Sequence, residues 1–75
     1  MDYKELRTTW ADTLNLTKRE AEILEHIVSG QTSKETAQVL GISPSTVEVH
    51  RERIRLKLGA RNTADVLRIA LMGKT

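Results

Sequence analysis

The chain has no cysteine, one proline, one tryptophan and one tyrosine among its 75 residues. Without cysteine there is neither a disulfide framework nor a thiolate zinc site, and the redox compartment stays open though compatible with cytosol. No apolar run approaches the roughly 20 residues that a membrane helix needs, and nothing resembles a signal peptide. A cytoplasmic protein with no membrane contact is therefore expected. The four glycines do not form a phosphate-cradling loop; they sit where helices are predicted to end, and no nucleophile–base pair stands out. Catalysis and cofactors are not expected. His26 and His50 lack a second ligand at metal spacing, so no metal is expected either.

What is present makes one small domain, too short for a second. A chain of this size buries only about 60% of the surface its unfolded form exposes, which makes stability marginal and oligomerisation useful. The formal net charge is only +2, but it is unevenly placed. Residues 1–42 carry five Lys/Arg against seven Asp/Glu, and residues 43–75 carry seven against three. A basic C-terminal half is the footprint expected for a polyanionic partner.

The most informative stretch is Ser43–Leu58, SPSTVEVHRERIRLKL. Ser43 is a good N-cap, Pro44 occupies the first helical position where its missing N–H is harmless, and Gly59 can take the left-handed stop. At roughly 100° per residue, Val47, Ile54 and Leu58 share one face, while Ser45, Glu48, Val49 and Glu52 point the other way. Arg51 and Arg55 line one flank; Thr46, His50, Arg53 and Lys57 line the other. Basic flanks around a face of mostly short side chains suit a helix lying between two phosphate strands.

Upstream, Thr17 and Glu20 form a capping box that opens a helix over about 18–29, with Ala21, Leu24, Ile27 and Val28 as its stripe, Ile23 beside it and Gly30 as its stop. Thr32 and Glu35 repeat the pattern before a short helix over 33–40, in which Ala37, Val39 and Leu40 are expected to face inward. Ala37, Gly41, Ile42, Ser43 and Val47 then carry the spacing of a helix-turn-helix. The small Ala37 lets the helices approach, Gly41 supplies the positive φ of the turn, Ile42 plugs the corner and Val47 faces back onto the first helix.

A last helix is predicted over about 64–72, capped by Asn62 or Thr63 and stopped by Gly73. Val66, Ile69 and Ala70 form one stripe and Ala64, Leu67 and Leu71 an adjacent one. The second stripe either wraps around the core or serves as a two-fold dimer seam. Residues 1–13 carry Tyr3, Leu6 and Trp10 at helical spacing, with Leu14 beyond them. This N-terminal segment, 1–15, is read as a short helix whose Trp10 packs either into the core or onto a partner.

The runs LTKREAEIL, GQTSKETAQVLGISPSTVEVH and IRLKLGARN together resemble the LuxR/FixJ-type DNA-binding domain, also called the GerE family, over about Leu16 to Ala70. The run ISPSTVEVHR is most similar to the FixJ response-regulator branch. The resemblance implies an all-α, four-helix helix-turn-helix domain, here placed over residues 16–73 with room for an extra N-terminal helix. It also implies a transcription regulator whose third helix enters the major groove and whose fourth makes a dimer contact. Two positions depart from the family pattern: Thr36 stands where an aliphatic residue is usual, and Ser33 replaces a frequent asparagine. Most members carry a receiver or signal-binding domain ahead of this module, so the chain is either an excised C-terminal domain or a stand-alone regulator, with Met1 leaning toward the latter.

On that reading double-stranded DNA is the partner and a homodimer on an inverted repeat is expected. Glu48, Val49, Glu52 and Arg51 are the candidates for base contacts. A carboxylate can accept from cytosine N4, Val49 can touch a thymine methyl, and Arg51 can reach guanine O6 and N7. Helical spacing also pairs Glu48 with Arg51 and Glu52 with Arg55. Lys34, Ser45, Thr46, His50, Arg53, Arg55 and Lys57 are the candidates for phosphate contacts, and Ala64, Leu67 and Leu71 for the dimer seam. Two other readings remain at this stage. One is a sigma-factor region that recognises a promoter element. The other is a helix-turn-helix that binds protein, such as RNA polymerase or another regulator, through Trp10 and the last helix.

Overall fold

A computed structural model describes residues 9–72, and among these every regular element is a helix. Residues 9–13 form a helical turn, α1, followed by α2 (Lys18–Val28), α3 (Ser33–Leu40), α4 (Pro44–Leu58) and α5 (Thr63–Met72). The predicted boundaries of the last four agree to within a residue, because each helix start is signalled locally. Thr17 and Thr32 accept the N–H of Glu20 and Glu35, at 3.1 Å each, and those glutamates accept the cap N–H groups in return at 2.9 and 2.8 Å. Ser43 accepts from the N–H of Thr46 at 3.1 Å. Asn62 is the cap of α5, its Oδ1 accepting the Asp65 N–H at 2.9 Å. Each such bond satisfies an amide that the helix itself leaves without a partner. Tyr3, Leu6 and Gly73 lie outside the described residues.

α4 packs against α2, α3 and α5, and so sits at the centre of the domain. Its Val47 and Ile54 are fully buried beside Ile23 and Leu24 of α2. Leu58, Leu40 and Ile42 close the edges as partly buried neighbours. Burying each such aliphatic side chain contributes about 1.5–3 kcal/mol, which is what holds these short helices together. Gly41 adopts φ 69°, ψ 33°, and the N–H of Ile42 turns back to the Ala37 carbonyl at 3.1 Å. That left-handed residue is what lets α4 follow α3 after so short a turn.

The helix-turn-helix core differs from expectation in α3. Val39 was expected to face inward, but it is 63% exposed, and Thr36 takes the inward position at 1%. Thr36, Ala37 and Leu40 already fill the inward arc of an eight-residue helix, and Val39 is rotated off it. The buried Thr36 hydroxyl is satisfied, donating to the Thr32 carbonyl at 2.8 Å. The departure from an aliphatic residue therefore leaves no unpaired polar atom in the core.

Trp10 resolves the alternative at the N-terminus. It is 1% exposed, and its Nε1 donates to the Ala70 carbonyl of α5 at 3.2 Å, sixty residues away in the chain. The reading in which Trp10 anchors a partner is thereby corrected: the indole is a core residue. Asn15, at φ 57°, turns the chain from α1 into the Leu16 anchor, a conformation that asparagine tolerates better than most residues. The described part of the N-terminal segment shares its core with the domain it was set apart from.

Candidate nucleic-acid interface

α4 leaves its outer face exposed, because its apolar stripe is narrow. Ser45, Glu48, Val49, Glu52 and Arg53 are exposed, and Val49 keeps 51% of its surface accessible. Leu56, at 62% exposure, extends the row Ser45, Val49, Glu52 by one more turn. Sequence reading passed over Leu56, although the four- and three-residue steps of that row lead to it.

The N-terminus of α4 carries a cluster of hydroxyls. Ser43 Oγ lies 2.8 Å from Thr46 Oγ1 and 3.1 Å from Ser45 Oγ. Ser45 and Thr46 are both exposed beside the positive end of the helix dipole, a setting that favours an anion. Lys34, in the first turn of α3, and Arg53 are exposed cations with no ion pair among the described residues. His50 is half-buried, and its Nδ1 is enclosed without a hydrogen-bond partner among the described residues.

Two of the basic residues assigned to phosphates have partners inside the domain. Lys57 Nζ lies 2.7 Å from Oε1 of the buried Glu20 and ties the end of α4 to the start of α2. Arg55 grips both oxygens of Glu52, at 2.8 and 2.7 Å, and also donates to the Ala60 carbonyl at 2.8 Å, bracing the turn into α5. The hydrogen bond from Arg55 holds the Glu52 carboxyl below the usual carboxylate range, despite slight desolvation, and Glu52 in turn raises the Arg55 guanidinium. Helical spacing anticipated this pair. It cannot reveal the Ala60 or Glu20 contacts, which depend on how helices cross.

The expected Glu48–Arg51 pair is absent. Ser33, in the first turn of α3, donates its hydroxyl to Glu48 Oε1, and Arg51 has no ion pair among the described residues. Arg51 lines a cleft between α4 and the start of α5, together with Glu48, Glu52, Arg55 and Thr63. On α5, Val66 and Ala70 are buried; Ala64, Leu71 and Met72 are exposed, while Leu67 is half-buried against the core. Only part of the second stripe is thus surplus.

A helix-turn-helix with an unpacked, cation-flanked second helix has a counterpart among known proteins. Residues 14–70 match the family described as bacterial regulatory proteins, luxR family. The chain belongs to that family. It is therefore a helix-turn-helix DNA-binding domain of the transcription-regulator type. It is 48% identical over 60 residues to the transcriptional regulatory protein TdiR of Thauera aromatica, covering 80% of this chain and 26% of TdiR. To FixJ of Rhizobium meliloti it is 41% identical over 58 residues, covering 77% of this chain and 28% of FixJ. To the uncharacterized response regulatory protein YgeK of Escherichia coli K12 it is 38% identical over 71 residues, 95% of this chain and 48% of YgeK. The luxR-family chain thus spans between a quarter and a half of the length of these relatives. No solved structure matches it significantly. Among its described residues no helix is long and apolar enough to cross a membrane.

Proposed function

We propose that this luxR-family domain regulates transcription by laying α4 in the major groove of double-stranded DNA and reading base edges with Glu48, Val49 and Glu52, with Arg51 at the flank. The observation that carries this reading is the unpacked outer face of α4, with Val49 at 51% exposure among polar neighbours. An apolar side chain left open at the centre of a helix's outer face suits a thymine methyl. Lys34, Ser45, Thr46, His50 and Arg53 supply the phosphate contacts. Lys57 and Arg55 move from the phosphate set to a supporting role, because their charges are engaged by Glu20 and Glu52. The protein acts in the cytoplasm, where its DNA is, and is not an enzyme. A second copy docks through α5, using Leu71 and Ala64 with the edge of Leu67, so that two α4 helices meet half-sites about one helical turn apart on an inverted repeat.

The test is a duplex selected from a randomised pool, with affinity measured as a function of salt. Arg53→Ala is expected to weaken binding to all duplexes alike and to reduce the salt slope by about 0.9. Val49→Ala is expected to lose on the order of 1 kcal/mol at the preferred site only. Uniform losses from Val49→Ala contradict base reading. Salt-independent binding favours a protein partner on the exposed Leu71 and Met72.

A further inference from the structure

Ser33 is not on the reading helix, yet its only hydroxyl proton is spent there. It lies in the first turn of α3, where Thr32 already caps the helix, so its hydroxyl has no capping duty. Instead it donates to Glu48 Oε1 across fifteen residues, joining the supporting helix to the outer flank of α4. A carboxylate offers two oxygens and about four acceptor positions. With Oε1 anchored, Oε2 of Glu48 has no partner among the described residues and lies on an exposed side chain.

The competing position for Glu48 is Arg51, one turn along the same helix. Glu48 and Arg51 both line the cleft beside α5, so that pairing lies within reach of the carboxylate. The Ser33 hydroxyl holds the carboxylate instead, and Arg51 has no ion pair among the described residues.

We infer that Ser33 is a specificity-determining positioning residue: by anchoring one oxygen of Glu48 it aims the other at an exocyclic base amine in the major groove. The inference rests on the proposed placement of α4 in that groove. Cytosine N4 is the favoured donor, because a lone acceptor oxygen matches its single amine, whereas adenine recognition draws on a donor–acceptor pair that a carboxylate lacks. The fixed carboxylate also avoids the loss of side-chain freedom that a mobile glutamate suffers on binding.

The experiment compares the full chain with Ser33→Ala, Ser33→Asn, Glu48→Ala and the double variant Ser33→Ala/Glu48→Ala. Each is titrated by fluorescence anisotropy against the selected duplex and its single base-pair substitutions. Ser33→Ala retains the Thr32 cap, and matching thermal melts establish that all four fold. Ser33→Ala is expected to lose about tenfold discrimination at the same base pair as Glu48→Ala, with other positions unchanged. Ser33→Asn, which retains a donor, restores it, and Ser33→Ala adds nothing once Glu48 is gone. The substituted duplexes at that pair separate cytosine from adenine as the partner. If Glu48→Ala shifts base preference and Ser33→Ala does not, or if Ser33→Ala weakens all duplexes equally, the positioning role is overturned and groove reading stands. If Glu48→Ala changes no preference at any base pair, Glu48 does not read a base and the inference falls with it.

Discussion

Lys57 Nζ and Glu20 Oε1 meet at 2.7 Å, thirty-seven residues apart, with the Glu20 side chain only 4% exposed and that of Lys57 37%. The same carboxylate oxygen closes the capping box on the Thr17 N–H at 2.9 Å. One buried acid therefore starts α2 and pins the last turn of α4. Removing it leaves two donors unmatched, so Glu20→Ala is expected to destabilise the fold by about 2 kcal/mol or more, and Glu20→Gln by less. Lys57→Met should reduce stability by about 1 kcal/mol yet leave the salt slope of DNA binding unchanged, unlike Arg53→Ala. Urea denaturation and salt titration of the four variants check this; a slope lowered by Lys57→Met returns that lysine to the phosphate contacts.

Acid should destabilise the domain by protonating its paired carboxylates, Glu20 among them. Burial raises its carboxyl, but the bonds from Lys57 and Thr17 outweigh that and hold it below the usual range. The Arg61 N–H and then Arg68 hold Asp65 down, and the Thr32 N–H does the same for exposed Glu35. A lowered folded value means that the unfolded chain takes up the proton more readily. The stabilisation is complete above a pH of about 4 and is lost as pH falls through the lower folded values. Urea midpoints between pH 6 and pH 2.5 should fall in that window for the wild type and more shallowly for Glu20→Gln. A flat wild-type profile contradicts the assignment.

Trp10 reports on the core because it is the chain's single tryptophan and is almost completely enclosed. Its fluorescence should be blue-shifted and protected from iodide in the folded protein, and should red-shift in the same transition that far-UV circular dichroism follows. Trp10→Ala is expected to destabilise by about 3–5 kcal/mol. A chain starting at residue 16 should lose comparable stability. Wild-type stability of that truncation, read from thermal melts, contradicts a structural role for Trp10.

Thr36→Val replaces a buried hydroxyl by a methyl group. The Thr32 carbonyl that it contacts also accepts the Thr36 backbone N–H at 2.9 Å, so no acceptor is orphaned. Stability should change by less than about 1 kcal/mol, in the stabilising direction. A loss of twice that in chemical denaturation means the hydroxyl orients α3.

Leu71 stands 51% exposed on α5. Leu71→Lys should leave the melting temperature of the monomer unchanged while lowering affinity for a duplex with two half-sites toward that for one. Sedimentation with each duplex measures both stoichiometry and affinity. Equal two-to-one complexes for wild type and variant remove α5 from the dimer contact.

Helix number, helix ends and the turn between α3 and α4 were legible in the sequence because caps and left-handed glycines act over three or four residues. Thr17, Thr32, Ser43 and Gly41 do in space what their spacing announces. The exposure of Val49 and the burial of Val47 and Ile54 follow from helical period alone. Which cations remain free does not. Lys57 and Arg53 look alike on the helical wheel, and only the crossing of α2 over α4 brings Glu20 to one and not the other. In the same way Ser33 reaches Glu48, and Trp10 reaches Ala70, across separations that no period encodes. Local hydrogen bonds thus determined the elements, while desolvation and packing between helices decided which charged and aromatic groups stay available to a partner.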